Sequence, residues 1–206
     1  PVVQRAWEGI NNQRAFAIQE AKHDWVLCLD ADERVSKELR EEVASAVARQ
    51  DGVAGYEVSR HTWYLGRWID HGGWYPDLKL RLFRREKART VGTDPHDRIE
   101  VDGPVGRLNG ELHHYTYRNF SQQIGTIDRF SETASRELFD GGERFRVWKL
   151  LLRPPLKFLE CWVWKLGLLD GLPGLVIAVA SAFNVFSRYV KLWEKERGLA
   201  EGGPRP

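Results

Sequence analysis

Residues 25–29, Trp-Val-Leu-Cys-Leu, form an unbroken apolar run that stops at Asp30-Ala31-Asp32-Glu33. An extended segment that is apolar at successive positions has no face to offer water, so it belongs to a strand covered on both sides. The abrupt change to acid places the strand's C-terminal end at the mouth of a polar site. Helical patterns flank it. Residues 11–22 carry Ala15, Phe16, Ile18 and Ala21 at inward spacing, with Asn11 or Asn12 as cap, and Ser36 caps a second helix to about Arg49 with Leu39, Val43, Ala46 and Val47 on one face. Helix, strand, helix in that order predicts an α/β domain with this strand central in a helix-covered sheet.

Downstream, strands are expected at 53–60, at 78–84 and at 98–101, and the second alternates Leu78, Leu80 and Leu82 with Lys79, Arg81 and Arg84. An aromatic, glycine-bearing loop separates the first two. Ser121 is placed to cap a helix to Asp140, with Ile124, Ile127, Phe130, Ala134 and Leu138 inward and Gly141-Gly142 as its stop. Residues 147–168 and 172–195 also read as helical, the first interrupted at Pro154-Pro155 and the two separated at 170–174. The uncharged stretch Gly171–Ser187 is 17 residues, at the lower limit of the roughly 17–25 that cross a bilayer, and it contains Pro173, Gly174, Ser181 and Asn184, which disfavours spanning.

Charge divides the chain further. Residues 144–197 hold 10 Lys/Arg against 4 Asp/Glu together with Trp148, Trp162, Trp164 and Trp193, while the 206-residue chain carries only +2. The expected organisation is a domain over 1–143, a basic amphipathic helical module over 144–197 and a flexible tail over 198–206. The module suits an anionic membrane surface, or packing against the domain over 1–143 or a second subunit in a homo-oligomer. So small a net charge, with no basic run interleaved with stacking aromatics, argues against a nucleic-acid partner. Cys28 and Cys161 stand far apart in apolar surroundings, which fits a reducing, cytoplasmic setting. No leader pattern opens the chain and it contains no methionine, so it is expected to be a fragment.

Five groups of residues hold candidate chemistry. Asp30 and Asp32, one residue apart past a buried strand, can both reach one hard cation, Mg²⁺ or Mn²⁺, although acids also simply begin a turn before a helix. The loop His71-Gly72-Gly73-Trp74-Tyr75-Pro76-Asp77 pairs glycines that admit a close ligand with an aromatic face that suits a sugar ring, though an ordinary turn has the same composition. Pro95-His96-Asp97 offers an imidazole and a carboxylate for proton abstraction, or a turn into the next strand. His113-His114 ends a strand. Arg81, Arg84 and Arg85 suit phosphate, or the solvated face of an alternating strand.

Across nearly its whole length the sequence resembles the family 2 glycosyltransferases of GT-A fold, most closely the bacterial branch of β-1,4-glucosyltransferase type that builds the lipopolysaccharide core. The blocks that carry the resemblance are Trp25–Arg34 (WVLCLDADER), Leu65–Phe83 (LGRWIDHGGWYPDLKLRLF), Val101–Leu108 (VDGPVGRL), His114–Arg118 (HYTYR) and Leu169–Val176 (LDGLPGLV). The resemblance implies a Rossmann-like GT-A core with a metal-dependent, inverting activity. A hexose, glucose in that branch, would pass from a nucleotide diphosphate sugar to a lipopolysaccharide-core or lipid-linked acceptor at the cytoplasmic face of the inner membrane.

It further implies that Asp30, Asp32 and His114 serve the metal, that Asp97 is the catalytic base, and that Gly72, Gly73, Trp74, Asp77, Arg81 and His96 border donor and acceptor. Asp97 stands where the family has Glu in a Val-His-Glu block. The family's opening Pro-x-Tyr-Asn-Glu strand and base-gripping acid are not found in residues 1–206, so the core is expected to be N-terminally incomplete. Two other readings compete: a non-catalytic membrane-surface or scaffold fragment, and an Asp-x-Asp phosphatase, which Arg34 opposes by standing where that class has Thr.

Overall fold

The computed structural model describes residues 2–6, 8–49, 51–92 and 98–199. Its elements are α1 (Ile10–Glu20), β1 (Trp25–Leu27), β2 (Glu33–Val35), α2 (Lys37–Ala48), β3 (Gly55–Tyr64), β4 (Arg67–Ile69), β5 (Asp77–Arg84), β6 (Ala88–Val91), β7 (Arg98–Val101), β8 (Val105–His114), α3 (Phe120–Asp140), α4 (Val147–Leu159) and α5 (Gly171–Glu196). A π-helical turn at Glu160–Trp164 and a 3₁₀ turn at Gly167–Asp170 join the last two helices. The described residues form two compact units, one of Pro1–His61 with Pro76–His114, the other of Thr62–Tyr75 with Tyr115–Pro206. This division differs from the boundary expected at 143. The helix α3 belongs with the C-terminal helices, because its contact face matches α5.

The first unit is an α/β layer structure. Its sheet runs β1-β5-β3-β8-β2, and β6 pairs separately with β7. Consecutive residues of a strand point to opposite faces, so Leu82 and Phe83 of β5 enter different cores. Leu82 joins Leu39 and Ala46 of α2 with Tyr56, Val58, Leu108 and Leu112, whereas Phe83 joins Ile18 of α1 and Ile99 of β7.

β1 is a correction to the expected central strand: among the described residues it ends the sheet, paired antiparallel with β5 in the register Trp25↔Arg84. Trp25 and Leu27 nonetheless pack on the α2 side and Val26 and Cys28 on the α1 side. An apolar run reports that both faces are covered. It does not report how many strands lie alongside.

Helix starts follow side-chain chemistry with two displacements. Ser36 caps α2 as expected, its Oγ accepting from the Leu39 amide at 3.1 Å. At α1 the cap is Gly9 rather than Asn11 or Asn12, and Asn12 lies inside the helix donating to the Glu8 carbonyl at 3.0 Å. Asn119 caps α3 instead of Ser121, accepting from the Gln122 amide at 3.0 Å. Ile18 is the buried member of the α1 stripe, and Val47 of α2 is exposed.

In the second unit α5 packs on α3, α4 and β4. The buried face of α3 is Gln123, Thr126, Ile127, Ser131 and Ser135, while the expected inward Phe130 is exposed. Short side chains let the two helices close, and the serine hydroxyls satisfy themselves on the Asp128 and Glu132 carbonyls at 2.9 and 2.8 Å. Lys191 then pins α5 to the Asp128 carboxylate at 2.7 Å. α4 runs through Pro154-Pro155 without the expected interruption. The carbonyls four residues back lose their donors, but Leu150 is only half-buried and Leu151 is exposed, so water can replace them. A separate core gathers Tyr64, Ile69 and Ile177 with Trp74, Tyr117 and Val176.

Candidate active site

The turn after β1 is built from charge. Cys28 extends the β5 pairing by donating its amide to the Arg81 carbonyl at 2.8 Å. The chain then folds back so that the Glu33 amide reaches the Asp30 carbonyl at 3.0 Å and the Asp30 amide reaches Glu33 Oε2 at 3.0 Å. Asp30 therefore faces inward, accepting from Arg14 at 3.0 Å and Arg81 at 2.7 Å. Arg81 also grips the buried Glu33 carboxylate, and Arg60 lies 3.7 Å from the same group. Arg60 turns its other nitrogens to Asp77, at 2.6 and 2.9 Å, which Lys79 approaches at 3.1 Å.

The outcome is a cleft of about 370 Å³ with Arg14, Asp30, Arg60, Lys79, Arg81 and Arg98 on its walls. Arg81 is thus a buried centre of the site and not the solvated strand residue that alternation suggested. Its place on β5 between Leu80 and Leu82 hides this, because the opposite face of the sheet is also covered.

Asp32 stands apart. Its carboxylate is about half-exposed and lies 3.3 Å from His114 Nε2, at the end of β8, where the β2–β8 pairing sets Glu33 opposite His114. Electrostatics separate the two acids. Burial alone would raise the Asp30 carboxyl, but the charge and hydrogen bond of Arg81, with those of Arg14, outweigh it and hold it below the ordinary carboxylate range. Burial, aided by Arg60, pushes the His114 imidazole down against the opposite pull of Asp32 and Glu33. Burial by itself would favour the neutral form of Arg81, but Glu33 and Asp30 keep it charged.

Among the described residues no three His, Cys, Asp or Glu side chains gather into a ready metal cage. A carboxylate with a neutral imidazole beside it still suits a hard divalent cation that takes its remaining ligands from substrate phosphates and water. The Asp32–His114 pair fits that description, with Asp30 on the same turn.

Gly72, Gly73 and Trp74 fall in the second unit. Gly72 and Gly73 both have positive φ, 68° and 83°, a conformation that explains the glycine pair. Trp74 packs on Tyr64 at 5.3 Å and on Tyr117 at 6.3 Å between ring centroids. His96 and Asp97 lie outside the described residues. Arg14, Arg60, Glu33 and Asp170 were not legible as site residues in the sequence. Glu33 continues the acidic run that was, and Asp170 lies in the LDGLPGLV block, where a lone acid among apolar residues is itself a signal for a partnered buried charge.

Residues 2–101 match Glycosyl transferase family 2. The chain is 29% identical over 192 residues to the lipopolysaccharide core biosynthesis glycosyltransferase LpsC of Rhizobium meliloti, covering 89% of this chain and 71% of that protein. It is also similar to uncharacterised glycosyltransferases of Rickettsia typhi, 28% identical over 94% of this chain and 70% of theirs, and of Rickettsia prowazekii, 26% identical over 93% and 69%.

Proposed function

We propose that this chain, whose residues 2–101 match family 2 of the glycosyl transferases, transfers a hexose, glucose, with inversion, from a nucleotide diphosphate sugar to a hydroxyl of a lipopolysaccharide-core or lipid-linked saccharide. The name of the Rhizobium meliloti relative supports the acceptor class. The observation that carries the reading is the acidic turn after β1, where Asp32 is presented beside His114 while Asp30 is bound by Arg14 and Arg81.

Asp32, His114 and Asp30 are the residues that would hold Mg²⁺ or Mn²⁺, which supplies positive charge to a leaving diphosphate. Arg81 and its guanidinium neighbours favour an anionic donor in the cleft, and Asp77 orders Arg60 and Lys79 at its wall. Gly72, buried against the Cys161–Gly167 turn, and Gly73, backed by Lys165, shape the loop through their positive φ, and Trp74 offers a ring face to a sugar. Asp97, in the block with His96, takes the proton of the acceptor hydroxyl as its oxygen forms the bond to the anomeric carbon and the bond to the diphosphate oxygen breaks.

The C-terminal module would hold the enzyme at an anionic membrane, at the cytoplasmic face of the inner membrane. Calorimetric titration with nucleotide diphosphate sugars, in Mn²⁺ and in chelator, tests the proposal. Binding that requires the metal supports it, and binding indifferent to the metal, or none, rejects the metal-dependent transferase.

A further inference from the structure

The connection between α4 and α5 is unusual for a helical hairpin because it is apolar and outward. Val163, Trp164, Leu166, Leu168, Leu169 and Leu172 fall within ten residues and are 43–71% exposed. Leu166 is held at φ 55°, a left-handed conformation that Cβ sterics disfavour in a residue other than glycine. Six large apolar side chains at one tip exceed what scattered surface hydrophobics account for.

The cations around the tip point to what covers it. Lys157 in the last turn of α4 and Lys165 in the turn share Glu160, at 3.0 and 2.6 Å, which leaves one net positive charge beside the tip, and Arg144, Arg146, Lys149 and Arg153 follow toward the start of α4, with Lys149 paired to Glu143. An apolar tip at the end of a module with 10 Lys/Arg against 4 Asp/Glu matches the acyl boundary and headgroups of an anionic bilayer, with Trp164 at the depth where an indole is favoured. A spanning arrangement fits less well. α5 is long and apolar enough to cross, but one of its faces is committed to α3 through Lys191–Asp128 and Lys195–Glu132.

The same turn holds the glycine loop. Asp170 is fully buried, and its carboxylate accepts from the His71 amide at 2.9 Å and the Asp70 amide at 3.3 Å, with His71 Nδ1 at 3.2 Å from it. Arg67 donates to the Asp170 carbonyl at 3.0 Å, and the Gly72 amide donates to the Lys165 carbonyl at 2.8 Å. A Cβ on Gly73 would fall 2.7 Å from Lys165 Cδ. The loop therefore rests on the turn through three polar contacts and one close approach, with two more polar contacts from Arg67 and Asp70 just before it.

Resting on the membrane reading above, we infer that the tip Val163–Leu172 is the element that enters the bilayer, and that Asp170 clasps the His71–Trp74 loop to it as a positioning residue. Insertion of the tip thus orders the loop, and loop presentation depends on the bilayer.

The test uses the whole chain with vesicles of phosphatidylglycerol and phosphatidylethanolamine. Trp164→Asp with Leu172→Asp, both at exposed positions, is expected to keep the wild-type circular dichroism and to lower vesicle co-sedimentation at least about tenfold. Hydrogen exchange of amides 70–74 is expected to slow on vesicle binding in the wild type. In Asp170→Asn it should be faster and no longer respond to vesicles, although the variant still binds them. His71→Ala, which removes one ring contact and leaves Asp170 in place, gives an intermediate response and serves if Asp170→Asn does not fold.

Neither readout needs a donor or turnover, so loss of the transferase reading leaves the inference standing. Wild-type protein that ignores vesicles overturns the membrane reading and this inference together. Tip variants that bind like wild type, or exchange at 70–74 that vesicles do not alter, overturn this inference alone. A wild-type dimer that the tip variants dissolve, without vesicle binding, assigns the tip to a second copy and overturns it as well.

Discussion

Two acids one residue apart meet different fates because of what surrounds them. Asp30 is satisfied by two guanidinium groups, whereas Asp32 is open beside an imidazole. Asp32→Asn should therefore leave the unfolding midpoint almost unchanged and, on the proposed metal-holding role, lower transfer by at least about 10²-fold, since such a ligand contributes several kcal/mol and each 1.4 kcal/mol is a decade. Equal losses of stability and activity would make it structural.

Glu33 predicts the opposite pattern. Glu33→Ala leaves Arg81 buried with a partner missing and should cost about 3–5 kcal/mol in urea unfolding, the range for halving a buried ion pair. The shifted groups also set a pH dependence. His114 is depressed in the folded protein, so its contribution is fully present above the unfolded value of about 6.5 and is lost as pH falls through it toward the folded value. Asp30, also depressed, acts lower, its contribution being lost as pH falls below about 4. Stability of the wild type should drop between pH 7 and 5 by more than that of His114→Gln, and an equal drop would assign the titration to other groups.

At the scale of elements, caps and close approaches place the site. α2 begins at Ser36, whose hydroxyl accepts from both the Leu39 amide and the Glu111 amide of β8, at 3.1 and 3.3 Å. Ser36→Ala should cost about 0.5–2 kcal/mol, at the upper end because two donors lose an acceptor. α2 lies so near β8 that a Cβ on Gly110 would sit 2.4 Å from the Leu39 backbone. Gly110→Ala must push the helix away, and about 1–3 kcal/mol is expected from overpacking. Because β8 carries His114 at its end, the same variant should weaken the proposed metal-dependent donor binding. Unaltered binding in a destabilised variant would show that the strand end moves independently of the helix.

Over the whole molecule the polypeptide passes between its two units three times, after His61, after Tyr75 and after His114. The acidic turn therefore belongs to the first unit and the glycine loop to the second. The second unit holds the basic, apolar helices, and its proposed attraction to anionic vesicles should weaken as salt rises from 0.05 to 0.5 M, the screening length being about 10 Å at 0.1 M. A residual binding at high salt is expected from the apolar tip. Complete insensitivity to salt would remove the Lys and Arg residues from the contact.

Local pattern alone determined that residues 25–27 form a strand covered on two faces and followed by an acidic turn, that Ser36 caps a helix, and that residues 147–196 are mainly helical and both basic and apolar. These follow from side-chain period and capping chemistry, which act over a few residues. Tertiary structure decided which of two neighbouring acids is bound by arginine, that Arg81 is buried, that α3 turns its serines inward to meet α5, and that Asp170 reaches back about a hundred residues to the glycine loop. Each of these depends on which surfaces come together and on the charges they bring. Burial and ion pairing are properties of the partner as much as of the residue, and no window along the chain contains both.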